Sequence, residues 1–581
     1  MSQKIAVGTG AVGVLAMALA VYQMLHLPLW GHWPLILGLG FCCLWIPFLW
    51  YKSYSMTEIG LAAISGTLLG ISFAPSPFPF LSMVGLVPLL WLIDHISLTY
   101  TKRKLSSIWV LSFWTFLIWN IISTFWVMNT ALAAGIFANV VNSFLMTLPI
   151  IGYTLIRRTM SDRYHWIAWI ALWVLFEYGH FNWDLHWPWL TLGNAFASWP
   201  WAIQWYEWTG VLGGSAWILA LNYWVHHALT DVHERKYALI WVGVLILIPI
   251  SCSLYMGSRD FEPSGKANIA IIQPNFEPHY EKFNFSRAQQ IQKIESQIAA
   301  AVHDSTDWLI LPETVFTIQL NDWEDDPAMI MLRRFMSQYP RLKIITGVAT
   351  QRILEDDERS NRFTRTFRSR GREVRWEAGN AALLLHASDY QIYYKSKLVP
   401  GAEFFPYYQL LFFMENVAKE LGGSIEGFRM QQEREVFEGK GALGPIICYE
   451  SIFGEFVREY IAKGAEALVI MTNDGWWDQT AGHRQHLAYA QLRAIEQRRA
   501  IARAANTGIS AIIIPDGTIQ QATQYEEDAT IIGQLPLHKG VTFYARWGDL
   551  TGRASLFIVI ILVLQFLYRY FQTRVERTIN K

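Results

Sequence analysis

The sequence predicts two joined architectures: a polytopic α-helical membrane domain and an α/β domain that folds in water. Three observations carry this. Hydrophobic residues make up 52 % of the 581 and charged ones only 16 %, where an ordinary soluble domain has about a quarter charged. Long apolar runs recur through the first 256 residues and once more near the C-terminus. The charges gather between about residues 257 and 550, where short β-branched runs alternate with amphipathic stretches.

A helix of about 20 apolar residues crosses a roughly 30 Å hydrocarbon core. Nine such spans precede the polar block, at 5–25, 33–51, 57–75, 79–95, 107–127, 133–156, 166–180, 212–230 and 237–256, and a tenth lies at 553–571. The first has Lys4 ahead of its apolar run, as a signal peptide would. It lacks a clear small-residue cleavage site and many spans follow, so it is read as retained. Cationic residues favour the cytoplasmic side. The loops after spans two, four, six and eight carry Lys52, then Lys102, Arg103 and Lys104, then Arg157, Arg158 and Arg163, then Arg235 and Lys236. The tail after span ten carries Arg569, Arg574, Arg577 and Lys581. The short loops 26–32, 76–78, 128–132 and 181–211 contain no Lys or Arg. The alternation puts both termini in the cytoplasm and the polar block on the outer side. The expected division is therefore 1–256 membrane domain, 257–550 soluble domain, and 551–581 last span and tail.

The 181–211 loop holds Trp183, Trp187, Trp189, Trp199, Trp201, Trp205 and Trp208. An aromatic belt at the headgroup level accounts for most of them. A lipid-facing rim beside a site is compatible with it.

Lys plus Arg and Asp plus Glu both number 47, so the net charge is zero, which speaks against a nucleic-acid partner. Of the four cysteines, only Cys448 lies in the polar block, which therefore has no internal disulfide. A lone thiol there is a core residue or a nucleophile. No G-x-S-x-G, H-E-x-x-H or P-loop occurs, so serine-hydrolase, zincin and nucleotide-driven readings lack support, and no metal or cofactor is implied.

In the polar block, strands are expected at 268–273, 308–311, 343–348, 381–386, 391–394, 444–448, 467–471 and 510–514. Helices are expected at 285–302, 326–338, 452–463 and 483–504. Such alternation implies a layered α/β fold, whose chemistry sits at the C-terminal ends of strands. Three strand ends stand out. Leu309-Ile310-Leu311-Pro312-Glu313 holds a carboxylate at a rigid exit. Tyr393-Tyr394-Lys395-Ser396-Lys397 runs on to Glu403. Pro445-Ile446-Ile447-Cys448-Tyr449-Glu450 carries a thiol from a strand into a helix, where a helix N-terminus and cations lower a thiol pKa. Each alone has a plain alternative: a cap, a solvated lysine, a core thiol. Stretch 352–375, with eight arginines and five acids, reads as an exposed hairpin insertion.

A Glu, a Lys and a Cys in this chain order resemble the nitrilase superfamily of carbon–nitrogen hydrolases. Thr472-Asn473-Asp474-Gly475-Trp476-Trp477, Gln485-His486, Arg493-Ala494-Ile495-Glu496, Arg503, Asn506-Thr507-Gly508 and Pro515-Asp516-Gly517 extend the match. With Phe73-Ala74-Pro75 and Trp187-Pro188-Trp189-Leu190-Thr191-Leu192-Gly193 in the apolar half, the chain resembles the apolipoprotein N-acyltransferase family over about residues 57 to 572. The first two spans look additional to that family's usual eight. One departure is Lys397-Leu398-Val399-Pro400-Gly401-Ala402-Glu403, where the family commonly has His-Leu-Val-Pro-Phe-Gly-Glu. Lys395 and Lys397 share a strand face; Lys395 is favoured by its spacing of eight from Glu403.

The resemblance implies an αββα sandwich, outside the bacterial cytoplasmic membrane, with Glu313, Lys395 and Cys448 as catalytic residues. It implies acyl transfer from a phospholipid, through a Cys thioester, to the α-amino group of an apolipoprotein's S-diacylglyceryl-cysteine. Glu403, Tyr449, Glu450, Asn473 and Trp476 would support the site or contact substrate. Two rivals remain: a membrane-tethered amidase or nitrilase with water as acceptor, and a transporter or lipid-binding scaffold with a dead enzymatic domain. Glu177 near a span end bears on the latter.

Overall fold

The computed structural model describes residues 2–100, 104–259, 261–279, 285–369, 371–407 and 427–579. Lys102, Arg103, Arg370 and Lys581 lie outside the described residues. The chain divides into two units: Met1–Gly257 with Thr480–Gln485 and Asp549–Lys581, and Ser258–Gln479 with His486–Gly548.

Many apolar side chains of the first unit face outward. Leu15, Leu247 and Phe557 are 69 %, 67 % and 66 % exposed, as suits helices bathed in hydrocarbon. Seven helices are long and apolar enough to cross a membrane among the described residues: Gln3–His26, Trp33–Tyr51, Pro79–Thr99, Lys104–Thr124, Leu132–Thr159, Arg235–Gly257 and Leu550–Gln572. The expected spans 57–75, 166–180 and 212–230 fall on helices Met56–Ile71, His165–Asn182 and Tyr206–Thr230. The first of these has only 16 residues. The other two carry buried polar side chains such as Glu177, His180, Asn222 and His226.

Several buried polar groups inside this unit are paired with groups on other segments or within their own helix, as a dry interior favours. Asn222 donates to Ser82 O at 2.8 Å and accepts from Leu86 N at 2.7 Å, which satisfies a break between short helices. Asn142 donates to Asn120 Oδ1 at 2.7 Å. Glu177 Oε1 accepts from Trp173 Nε1 and Leu192 N, both at 2.8 Å. Gln485 Oε1 accepts from Trp126 Nε1 at 3.2 Å and Trp189 Nε1 at 2.6 Å. The tryptophan-rich stretch is thus not one belt. Trp189 and Trp205 are buried, whereas Trp201 and Trp208 are exposed.

The second unit contains fourteen strands among the described residues: β1 Gly265–Gln273, β2 Trp308–Ile310, β3 Phe316–Gln319, β4 Lys343–Ile353, β5 Thr364–Ser369, β6 Arg372–Leu385, β7 Tyr390–Tyr394, β8 Phe437–Gly439, β9 Gly441–Ile447, β10 Ala467–Thr472, β11 Ile501–Ala505, β12 Ala511–Ile513, β13 Ile519–Ala522 and β14 Ala529–Leu537. One sheet runs β14-β1-β2-β4-β6-β5, with β3 beside β4 and β7 beside β6; the other runs β13-β12-β11-β10-β9-β8. β1, β2 and β4 are parallel, as are β9, β10 and β11. The sheets meet face to face: a Cβ on Gly439 would touch the Trp308 ring, and one on Gly533 would touch Ile512. Helices Arg287–Ala301 and Pro327–Gln338 cover the first sheet through Ile294, Ile298, Leu332 and Phe335. Helix Gly454–Ala462 covers the second through Tyr460 against Gly444. This is an αββα sandwich.

Two local outcomes differ from the pattern reading. The expected 483–504 helix stops at Gln497. Arg498 turns to φ 48°, and 501–505 become β11, paired parallel with β10 from Leu468↔Ile501 to Thr472↔Ala505. An alanine-rich tract favours helix locally, and complete burial between strands overrides that preference. The 352–375 stretch does form a hairpin, β5 against β6 around Gly371, which sits at φ 81°.

At Gly193 the backbone approaches another closely enough that an added Cβ would lie 2.0 Å from Val211 O. Gly193→Ala should destabilise the membrane unit by about 1–3 kcal/mol, read as a lower melting temperature in detergent. An unchanged melt would contradict this packing.

Candidate active site

Glu313, Lys395 and Cys448 come from the ends of β2, β7 and β9. All three are buried. Glu313 follows Pro312 and precedes Thr314, which is held at φ 45°. Gly347 of β4 permits this turn: a Cβ there would lie 2.4 Å from Pro312 O and 2.6 Å from Glu313 Cα. Lys395 continues the β7 ladder by donating its backbone N–H to Asn380 O at 2.8 Å. Its Nζ donates to Glu313 Oε1 at 3.1 Å and to Glu403 Oε1 at 2.8 Å. Burial works against the Lys395 charge, but the two carboxylates outweigh it and hold the ammonium well above its ordinary range.

Glu403 is fixed in turn. Its Oε2 accepts from Val399 N at 2.8 Å, and its own N–H donates to Val399 O at 2.9 Å. Gly401 makes this tight turn at φ 83°. Lys397 has a different place, with its Nζ 5.1 Å from the centre of the Phe453 ring. Burial, with Arg434 nearby, pushes its pKa down. Of the two lysines on that face, Lys395 is the one between the carboxylates.

Cys448 sits at φ 50°, a left-handed conformation that is strained for a non-glycine residue. It begins the 3-10 turn Cys448–Ile452. The expected depression of the thiol pKa does not occur. Burial pushes the thiol up, the Glu313 carboxylate pushes it further, and Lys395 opposes them only in part. A short 3-10 turn offers no long helix dipole to offset this.

Glu450 ties two strand ends together through its carboxylate. Its Oε1 accepts from Tyr393 O–H at 2.7 Å and Ser396 N at 2.6 Å; its Oε2 accepts from Ile447 N at 2.7 Å. Burial raises its pKa, against the pull of those N–H groups. Tyr449 is buried with its ring edge-on to Phe453. Asn473 belongs to a neighbouring cluster, where its Oδ1 accepts from Asn506 Nδ2 at 3.2 Å. Trp476 is 39 % exposed, its ring edge-on to His279.

Pattern reading missed Asn380. Its Nδ2 donates to Glu313 Oε1 at 2.7 Å and reaches Glu403 Oε1 at 3.5 Å. The signal available was an asparagine inside the buried run Gly379-Asn380-Ala381-Ala382-Leu383, where an unpaired amide would be costly. No group of three or more His, Cys, Asp or Glu suited to a metal occurs among the described residues.

The arrangement offers a thiol, a carboxylate to move its proton and a cation beside both, the requirements of acyl transfer through a covalent intermediate. A family model described as apolipoprotein N-acyltransferase N-terminal domain matches residues 65–224, and one described as carbon–nitrogen hydrolase matches 268–543. The first two apolar helices lie outside both. An apolipoprotein N-acyltransferase of Chlorobaculum tepidum is 28 % identical over 525 residues, covering 87 % of this chain and 95 % of that protein. One of Geobacter metallireducens is 27 % identical over 512 residues, covering 84 % and 91 %. Among solved structures, an amidase from Nesterenkonia sp. is 17 % identical and covers 48 % of this chain and 95 % of its own, with a TM-score of 0.32. Two family models in succession, and relatives that align almost end to end, place the chain in the apolipoprotein N-acyltransferase family, a membrane-bound branch of the carbon–nitrogen hydrolases.

Proposed function

We propose that this chain moves an acyl group from a membrane phospholipid to the α-amino group of the S-diacylglyceryl-cysteine that begins an apolipoprotein, with Glu313, Lys395 and Cys448 as catalytic residues. The observation that carries the reading is the buried Lys395 ammonium, 3.1 Å from Glu313 and 2.8 Å from Glu403, in electrostatic reach of a buried thiol. The acylated substrate comes from what the relatives are named for. The multi-pass apolar half supports a lipid donor. Lifting a whole acyl chain into water would cost about 0.8 kcal/mol per CH₂, so an enzyme that uses such chains gains from residing in the bilayer. The charged loops support both termini in the cytoplasm and the catalytic unit on the outer face of a bacterial cytoplasmic membrane.

The thiol rests protonated, because burial and Glu313 raise it. As a phospholipid ester enters, Glu313 takes the thiol proton and Sγ attacks the ester carbonyl carbon. Lys395 Nζ and the Tyr449 N–H face the developing oxyanion. Collapse breaks the bond to the glycerol oxygen, which receives the proton from Glu313 and leaves as lysophospholipid. The thioester remains on Cys448. The lipoprotein amine then attacks it, loses a proton to Glu313 and departs as the amide, and the proton returns to Sγ. Asn380 and Glu403 fix the Glu313–Lys395 pair through both steps.

Intact-mass spectrometry of the full chain with phospholipid should reveal one added acyl group. It should be absent from Cys448→Ala and discharged by a diacylated lipopeptide amine. Discharge by water alone would favour a hydrolase, and an adduct on Cys448→Ala would remove the thiol from the reaction. Glu313→Gln separates its two effects. Acyl-enzyme formation should fall about 10²–10⁴-fold. Alkylation of Cys448 by iodoacetamide near pH 8 should accelerate, because a carboxylate that raises the thiol is gone. Slower alkylation with unchanged acylation would contradict both assignments.

A further inference from the structure

Behind Cys448 lies a charged cluster that the acyl-transfer steps do not use. Asp474, His486, Arg503 and Ser451 are each wholly buried. His486 Nδ1 lies 2.9 Å from Asp474 Oδ1, and Arg503 Nη2 donates to Asp474 Oδ2 at 2.5 Å. Thr472 Oγ1 donates to Asp474 Oδ1 at 2.7 Å. Burial alone would raise this carboxyl, but Arg503 and His486 hold it well below the usual carboxylate range. On its other side, His486 Nε2 lies 2.8 Å from Ser451 Oγ and 3.2 Å from Cys448 O. Ser451 Oγ donates to the same carbonyl at 2.8 Å. The Trp477 ring stands edge-on to the imidazole, 5.6 Å between centres.

Burying an arginine, an imidazole and a carboxylate together is costly, and apolar packing of equal volume is often as stable or more so. Arg503 also donates to Ile509 O, but on the side of the thiol the cluster ends on one atom, the Cys448 carbonyl oxygen. That carbonyl shares its peptide unit with the Tyr449 N–H. The only cis peptide bond among the described residues is Ala74–Pro75, so the Cys448–Tyr449 unit is trans, and in a planar trans unit C=O and N–H point in opposite directions. Holding the carbonyl toward His486 and Ser451 therefore turns the Tyr449 N–H away from them. Cys448 itself sits at φ 50°, a strained conformation that its surroundings must hold.

We propose that Asp474, Arg503, His486 and Ser451 are positioning residues which clamp the Cys448 carbonyl and so aim the Tyr449 N–H as an oxyanion donor. This rests on the assignment of Cys448 as the nucleophile and does not depend on which acyl donor it uses. Asp474 and Arg503 fix the imidazole, the imidazole and Ser451 fix the carbonyl, and the rigid peptide plane carries the constraint to the amide.

The test compares two reactions of the same thiol in the full-length protein. Acylation by p-nitrophenyl butyrate passes through an oxyanion; alkylation by iodoacetamide does not. His486→Leu should lower the acylation rate constant about 100-fold or more, the usual loss for one oxyanion donor. Half-saturation by ester and the alkylation rate of Cys448 should each stay within about threefold. His486→Gln, whose amide reaches the Nε2 position, should recover at least about tenfold of the loss. Ser451→Ala removes one hydroxyl and serves if His486→Leu does not fold; its acylation should fall about tenfold with alkylation unchanged. Acylation within threefold of wild type in the folded variants would overturn the proposal. So would acylation and alkylation falling in parallel, which is what a purely structural cluster would give. Wild-type protein that accepts the nitrophenyl ester but no phospholipid would sink the donor assignment above and leave this one standing.

Discussion

One buried ammonium sets the terms for the catalytic unit. Lys395 lies at the end of β7, almost without solvent contact. A charge in that position is tolerated only beside opposite charges with good geometry. Glu313 supplies one from the end of β2 and Glu403 another from the turn after β7. If either moves, the lysine loses one of its two charged partners. The constraint propagates outward: Gly347 lets the Glu313 turn approach β4, Gly401 closes the Glu403 turn, and Asn380 bridges both carboxylates. The thiol inherits the result. Burial pushes the Cys448 thiol up, Glu313 adds to it and Lys395 offsets only part, so the thiol is protonated at rest.

The same logic of paired burial recurs in each unit with different partners. In the helical unit, asparagine, serine and glutamine side chains satisfy broken helices and one another, as in the bonds of Asn222 and Gln485. In the sandwich, Glu450 clamps backbone N–H groups of two strands. Its worth lies in joining the Lys395 strand end to the Cys448 strand end, which share no ladder. β7 belongs to one sheet and β9 to the other, so a side chain must do what a hydrogen-bonded register cannot.

Much of this was legible in the residue pattern. The apolar runs at 33–51 and 237–256 end within a few residues of their helices, because hydrocarbon length and hydropathy fix them. The ends of β2, β7 and β9 are readable because a mostly apolar or aromatic run that breaks at a Glu, a Lys or a Cys leaves few reasons for the polar residue to be there. Asn380 was not legible, since its role depends on carboxylates 67 and 23 residues away. The β11 tract reads as helix in sequence, because local propensity carries no trace of a pairing to β10 that no window of sequence contains. The direction of the Cys448 shift is hidden from the sequence for a related reason. Helix ends and cations are visible in sequence, whereas depth of burial and the approach of Glu313 belong to the tertiary fold. Asp474, His486 and Arg503 were visible as a motif, but the Cys448 carbonyl they converge on was not.

The central claim is that Cys448 carries the acyl group between two separate half-reactions. The most direct measurement is the time course of lysophospholipid release with no acceptor present. The account predicts a burst of one equivalent per protein, then arrest, and a second release only when a diacylated lipopeptide is added. Steady release without acceptor, or none until the acceptor arrives, would contradict it.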